Sequence, residues 1–190
     1  MIRSSFFLIF SFLLLVACES ATPDDASIAK AQSGEVTSGQ IDAKLAELGI
    51  KLPEASSPVA NYVNAVTTGK LVFLAGKGPK KADGTYITGK VGRDLTEEEG
   101  YQAARLVAIN QLAALKAEIG DLDRVNRIVK VLGMVNATED FTNHPEVING
   151  FSDFMVEVFG EKGKHARAAV GMGSLPRGIA VEIELIVELK

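Results

Sequence analysis

Arg167 and Glu182 are the two side chains of this sequence best suited to act together on a small molecule. They lie in GKHARAAVGMGSLPRGIAVEIELIV, two extended runs joined by a Leu-Pro turn. Arginine carries a planar fork of donors that grips a carboxylate through two parallel hydrogen bonds. An ionised glutamate accepts a hydrogen bond from water and can aim that water at an electrophilic carbon. On neighbouring strands of a hairpin, such a pair could decorate a surface, form a structural ion pair, or mark the two ends of a site for a small acid.

Other chemistry-bearing residues point less far. His165, close to Arg167, reads first as a structural or solvated histidine at a strand edge and only second as a catalytic one. His144 sits at a helix start. The two histidines and the scattered acids have no metal-ligand spacing. GKGPKKADG has glycines and lysines but not the phosphate-loop pattern. The net charge of −4 gives no general footprint for nucleic acid.

The elements that must position Arg167 and Glu182 follow from hydrophobic spacing. A short helix is predicted from residue 41 to 48. A hairpin follows, with strands over 62–67 and 70–75, and then a glycine-rich loop with a short strand over 86–91. Thr96 and Glu99 form a capping box, and Tyr101, Ala104, Ala108, Leu112, Leu115 and Ile119 recur at helical steps until Gly120. A strand over 128–135 is apolar at both parities, which predicts cover on both faces. A second long helix starts at Asn143 and Pro145, carries Ile148, Phe151, Met155, Val158 and Phe159, and ends at Gly160.

Strands over 166–173 and 179–189 complete an α+β fold of order β-β-α-β-α-β-β, with two helices on one face of a mixed sheet. In the last strand the odd positions are apolar; in the one before it, Ala166, Ala168, Val170 and Met172 are the more apolar parity. With both apolar parities facing the helices, Arg167 and Glu182 are expected to share the opposite face. One layer of helices leaves that face bare, which predicts association, most simply as a closed ring of subunits.

The beginning of the chain reads differently. MIRSSFFLIFSFLLLVAC has a basic residue, an apolar run too short to span a bilayer, and the chain's sole cysteine, Cys18, directly after Ala17. It resembles the signal peptide of bacterial lipoproteins, over 1–17, with lipid expected on Cys18. Residues 18–40 are small and polar and read as a flexible tether, leaving 41–190 as one domain. The expected location is the bacterial cell envelope, membrane-anchored through the lipid and facing the periplasm, with Glu19 leaning towards the outer membrane.

Three stretches, NYVNAVTTGKLVFLAGKGP, GYQAARLVAINQLAALKAEIGDLDRV and ARAAVGMGSLPRGIAVEIELIV, together resemble the RidA family, also called YjgF/YER057c/UK114, in its longer chorismate mutase-like endoribonuclease branch. The resemblance implies a chorismate mutase-like fold and a homotrimer with ligand clefts between subunits. It also implies hydrolysis of reactive enamines and imines to 2-keto acids and ammonia, without metal or organic cofactor. Arg167 matches the family's carboxylate-binding arginine and Glu182 the acid that positions water. Tyr62, Ala75, Gly76, Asn149 and Ala169 fall at substrate-binding positions. The family's Arg-Ser-Cys is Arg167-Ala168-Ala169 here, and its Ser-Gly-Gln turn is Ala75-Gly76-Lys77. The resemblance leaves two other functions standing: a non-catalytic trimer that binds a small carboxylate, and an endoribonuclease, against which the acidic balance and the envelope location count.

Overall fold

The computed structural model describes residues 39–58 and 60–190. The expected signal peptide, Cys18 and nearly all of the expected tether lie outside the described residues. The domain begins with helix α1 (Gln40–Glu47), followed by β1 (Ala65–Thr68), β2 (Leu71–Lys77), α2 (Glu97–Ile119), β3 (Val125–Asn136), α3 (His144–Phe159), β4 (Ala166–Met172) and β5 (Val181–Leu189). After α1 the order is the β-β-α-β-α-β-β read from the spacing. The segment 86–91 forms isolated bridges rather than a strand, Thr88 to Ile179 and Val91 to Ala137. Gly89 interrupts it at φ 123, where a regular strand cannot continue.

The helices form where their caps and stripes dictate. In α2 the Thr96 hydroxyl accepts from the Glu99 amide at 3.2 Å, and the Glu99 carboxylate accepts from the Thr96 amide at 2.8 Å. Ala104, Ala108, Leu112 and Leu115 are fully buried against the sheet and α3. The start of α1 is closed from a distance. Asp123 accepts from the amides of Gly39, Gln40 and Ile41, satisfying donors that the helix itself cannot.

The five strands form one sheet in the order β1-β2-β5-β3-β4. β5 is central and antiparallel to both neighbours, while β4 is an edge strand parallel to β3. The last two runs are therefore not a hairpin, contrary to the expectation from sequence. A β3-α3-β4 crossover places β4 parallel beside β3, and β5 fills the space between β2 and β3.

Register fixes the faces. Leu185, Val131 and Arg167 are aligned across β5, β3 and β4, and so are Glu182, Met134 and Val170. Leu185 and Val131 are buried under the helices, so Arg167 shares the helix side. Glu182, on the other parity, shares the bare side. The expectation that both face away from the helices holds for Glu182 and fails for Arg167.

The reason is the closeness of α3 to the sheet edge. A Cβ on Gly133 would collide with Ile148, and one on Gly171 with His144. Where β4 passes closest to that helix its helix-side residues are the small Ala169 and Gly171, while Arg167 on the same parity reaches along the helix to Asn149 and Ser152. The bulkier residues are turned outward, and Val170 and Met172 join Val66 and Phe73 as exposed large apolar side chains. β3 is likewise covered on one face only in this chain: Ile128, Val131 and Val135 are fully buried, while Leu132 and Met134 on the bare face are half-buried.

Candidate functional site

At the sheet edge the Arg167 guanidinium reaches α3. Its Nη1 donates to Asn149 Oδ1 at 2.8 Å and to Ser152 Oγ at 3.1 Å. Asn149 and Ser152 are three residues apart and therefore neighbours on one helix face. Ser152 in turn meets His165. The ring Nδ1 lies 2.6 Å from the Gly163 carbonyl, which can only accept, so Nδ1 carries the proton. Burial first, and the Arg167 charge as well, push the His165 pKa down, partly opposed by the bond to Gly163. The neutral ring thus offers Nε2 as an acceptor, and the Ser152 hydroxyl donates to it over 3.0 Å. With its proton committed there, Ser152 presents lone pairs to Arg167. The chain Gly163–His165–Ser152 sets the height and rotation of the guanidinium, while Nε and Nη2 have no hydrogen bond among the described residues. Those two nitrogens are one edge of the fork and can grip a carboxylate. Ala169, two residues further along β4, lies on the same face.

The second group forms on the bare side, where the β2–β5 register shifts between Leu74 and Lys77. Gln111, buried in α2, ties that irregularity down by donating to the carbonyls of Ala75 at 3.1 Å and Ile183 at 2.6 Å. The turned backbone brings Gly76 against Glu182 so closely that a Cβ there would overlap the carboxylate. Glu182 lies in a cleft of about 440 Å³ whose walls include Tyr62, Ala75, Gly76, Lys77 and Arg177. Burial first, then the charge of Glu184, raises the Glu182 pKa above the ordinary glutamate value. Burial lowers that of Lys77, whose ammonium donates to Asn64 Oδ1. Tyr62 precedes β1 instead of lying in it and is half exposed.

The seven expected site residues thus fall into two sets. Asn149, Arg167 and Ala169 gather at the β4 edge on the helix side; Tyr62, Ala75, Gly76 and Glu182 gather in the cleft on the bare side. Arg167 aligns with Val131 and Glu182 with Met134, three residues apart on β3 and of opposite parity. One chain cannot bring the two charges together, so a structural ion pair within the protomer is ruled out. Sequence reasoning did not single out Ser152, whose signal is its three-residue step from Asn149. It also missed Arg177, the one non-glycine residue at positive φ among those described (φ 57), set before Gly178 in the turn into β5.

A sheet of this order with two long helices on one side is the chorismate mutase-like α+β architecture. The sequence profile of the family described as YjgF/chorismate_mutase-like, putative endoribonuclease, matches residues 42–189. The chain belongs to this YjgF/RidA family. Protein TCP17 of Trypanosoma cruzi is 46% identical over 155 residues, covering 81% of this chain and 97% of that protein. The crystal structure of Atu1372 from Agrobacterium tumefaciens, a protein of unknown function, superposes with a TM-score of 0.74 at 43% identity, covering 80% of this chain and 93% of that one. A 2-iminobutanoate/2-iminopropanoate deaminase of Dermatophagoides farinae is 27% identical, over 74% of this chain and 95% of its own length.

Proposed function

We propose that this protein hydrolyses 2-imino acids and their enamine tautomers to 2-keto acids and ammonia, in clefts completed between neighbouring subunits of a homotrimer. The observation that carries this reading is the division of the site into two incomplete halves. One has a carboxylate grip and no acid; the other has an acid and an open cleft. Between them lies the bare sheet face with Val66, Phe73, Val170 and Met172 exposed, surface that a second copy of the chain would cover. The deaminase from the mite supports the same chemistry.

In the completed site the Arg167 fork holds the substrate carboxylate and places the iminium carbon before Glu182. The carboxylate accepts from a water and takes its proton as the oxygen bonds to that carbon. The C=N π electrons move to nitrogen, giving a carbinolamine. Glu182 returns the proton to the nitrogen, the C–N bond breaks with its electrons going to the departing ammonia, and the hydroxyl proton passes through the again ionised Glu182 to that ammonia as the C=O forms. The products are the 2-keto acid and ammonia. A carboxyl with a raised pKa suits a group that must both accept and return a proton.

The test uses an amino-acid oxidase that releases 2-imino acids continuously. Purified protein is expected to accelerate keto-acid appearance, and Arg167→Ala to lose the acceleration. Saturable keto-acid binding without acceleration of any imino acid would replace the enzyme by a binding module. That alternative draws on Ala75 and Ala169, which provide neither hydroxyl nor thiol at the site. Ser152→Ala is expected to raise KM roughly tenfold, the order of one lost charge-assisted hydrogen bond, with kcat nearly unchanged. Ser152→Thr, which keeps the hydroxyl, should restore it; a fall in kcat alone would contradict a positioning role. Lipid on Cys18 holding the domain at the periplasmic side of an envelope membrane belongs to the same proposal, and Cys18→Ser is expected to release the protein from the membrane fraction.

A further inference from the structure

Beside the Glu182 cleft lies a second compartment of about 390 Å³. The two share Lys77, Gly78, Lys80 and Tyr86 in their walls and so adjoin. The second compartment rests on Leu106 and Ile109 of α2, and its rim carries Lys51, Lys77, Lys80 and Lys81 against a single acid, Glu54. No carboxylate among the described residues lies within ion-pair distance of Lys51, Lys77 or Lys80. Lys81 is close enough to Asp83 to help lower that carboxyl's pKa, behind the larger effect of Thr85.

The loop that presents Lys80 and Lys81 is tied in place. Asn110 Nδ2 donates to the carbonyls of Gly78 at 3.3 Å and Lys80 at 3.1 Å. Asp83 accepts from the Thr85 amide at 2.9 Å and its hydroxyl at 2.6 Å, and the Lys81 amide donates to the Thr85 carbonyl at 2.8 Å. Four lysines lining one concavity, in a chain of net charge −4, make it a local positive field that favours an entering anion. Their apolar floor suits a carbon chain more than a bare inorganic ion.

The geometry points to a substrate with an acid at each end, a 2-imino or 2-keto diacid whose second carboxylate enters the lysine compartment while its methylenes cover Leu106 and Ile109. This rests on the deaminase reading, in which Arg167 takes the first carboxylate. Lys51 and Lys81 line the second compartment and not the Glu182 cleft, so their replacement separates the two ideas.

The experiment is titration calorimetry on the purified protein with 2-oxobutyrate, a monoacid, and 2-oxoglutarate, a diacid. The diacid is expected to bind about tenfold more tightly, as two or three partly screened ion pairs would give. Lys51→Met with Lys81→Met should bring it down to the monoacid level and leave 2-oxobutyrate unchanged. Equal binding of the two acids, or a diacid preference that survives the double substitution, overturns the inference while the deaminase reading stands. If neither acid binds, the deaminase reading fails, and the diacid inference with it.

Discussion

Glu182→Gln is expected to lower kcat by about 10²- to 10⁴-fold, the usual contribution of a positioned acid or base, while leaving 2-keto acid affinity almost unchanged. The amide keeps the size and the acceptor oxygen but cannot take a proton from water. The wild-type pH profile should carry the same signature. Glu182 must be ionised to act, and burial together with Glu184 raises its pKa. Activity should therefore fall on the acid side at a higher pH than an ordinary glutamate would produce. Glu184→Gln, which removes one of the two causes, should move that limb down. A profile flat through this range, or a Gln variant with wild-type kcat, would exclude Glu182 from proton transfer.

The same shift has a consequence for stability. A carboxyl whose folded-state pKa lies above its unfolded value favours folding when protonated, and that contribution is lost as pH rises through the folded pKa. At neutral pH the ionised Glu182 is thus a burden on the fold. Glu182→Gln should melt higher than wild type at pH 7, and the gain should vanish once the pH falls below the unfolded glutamate value. Loss of activity with a gain in melting temperature distinguishes a functional carboxylate from a structural one.

Gly150→Ala is the substitution with the largest expected effect on folding. Gly150 lies in α3 where that helix crosses α2, and a Cβ there would collide with the backbone carbonyl of Tyr101. In an exposed helix interior, alanine would stabilise by about 1 kcal/mol relative to glycine. Here the obstacle is main chain, so no rotamer change can relieve it, and the helices must separate along a contact that buries Ala104, Ala108, Phe151 and Phe154. Overpacking of this kind costs about 3 kcal/mol and outweighs the propensity gain. Denaturant unfolding would show it: a loss of unfolding free energy of that order, with a lower midpoint, is expected, and an unchanged or more stable variant would mean the helices do not meet at Gly150.

The contrast between legible and illegible features has a physical basis. The capping box at Thr96, the apolar stripe of α3 and the alternation of β5 are local or periodic, and each formed where the sequence placed it. The facing of β4 was not legible. Alternation shows that two parities differ, but at an edge strand the bulkier parity need not be the one buried within the chain. The small residues Ala169 and Gly171 admit α3, and the larger ones wait on the open side. In β3 the second apolar parity, Leu132 and Met134, lies on the same open side and is half-buried in this chain. The Asp123 cap on α1 spans more than eighty positions, and the Ser152–His165 pair depends on where the turn after α3 ends; neither leaves a periodic trace. The grouping of the candidate residues was not readable, because pairing Arg167 with Glu182 assumed that consecutive strands are neighbours, whereas β3 lies between β5 and β4.

Mixing Arg167→Ala and Glu182→Gln subunits tests the shared site most directly. Each variant alone is expected to be inactive. After joint unfolding and reassembly in equal amounts, about one interface in four should combine an intact Arg167 from one subunit with an intact Glu182 from the next. About a quarter of wild-type activity should then return. If the reassembled mixture stays as inactive as its parents, the two half-sites do not meet across subunits and the proposed cleft does not exist.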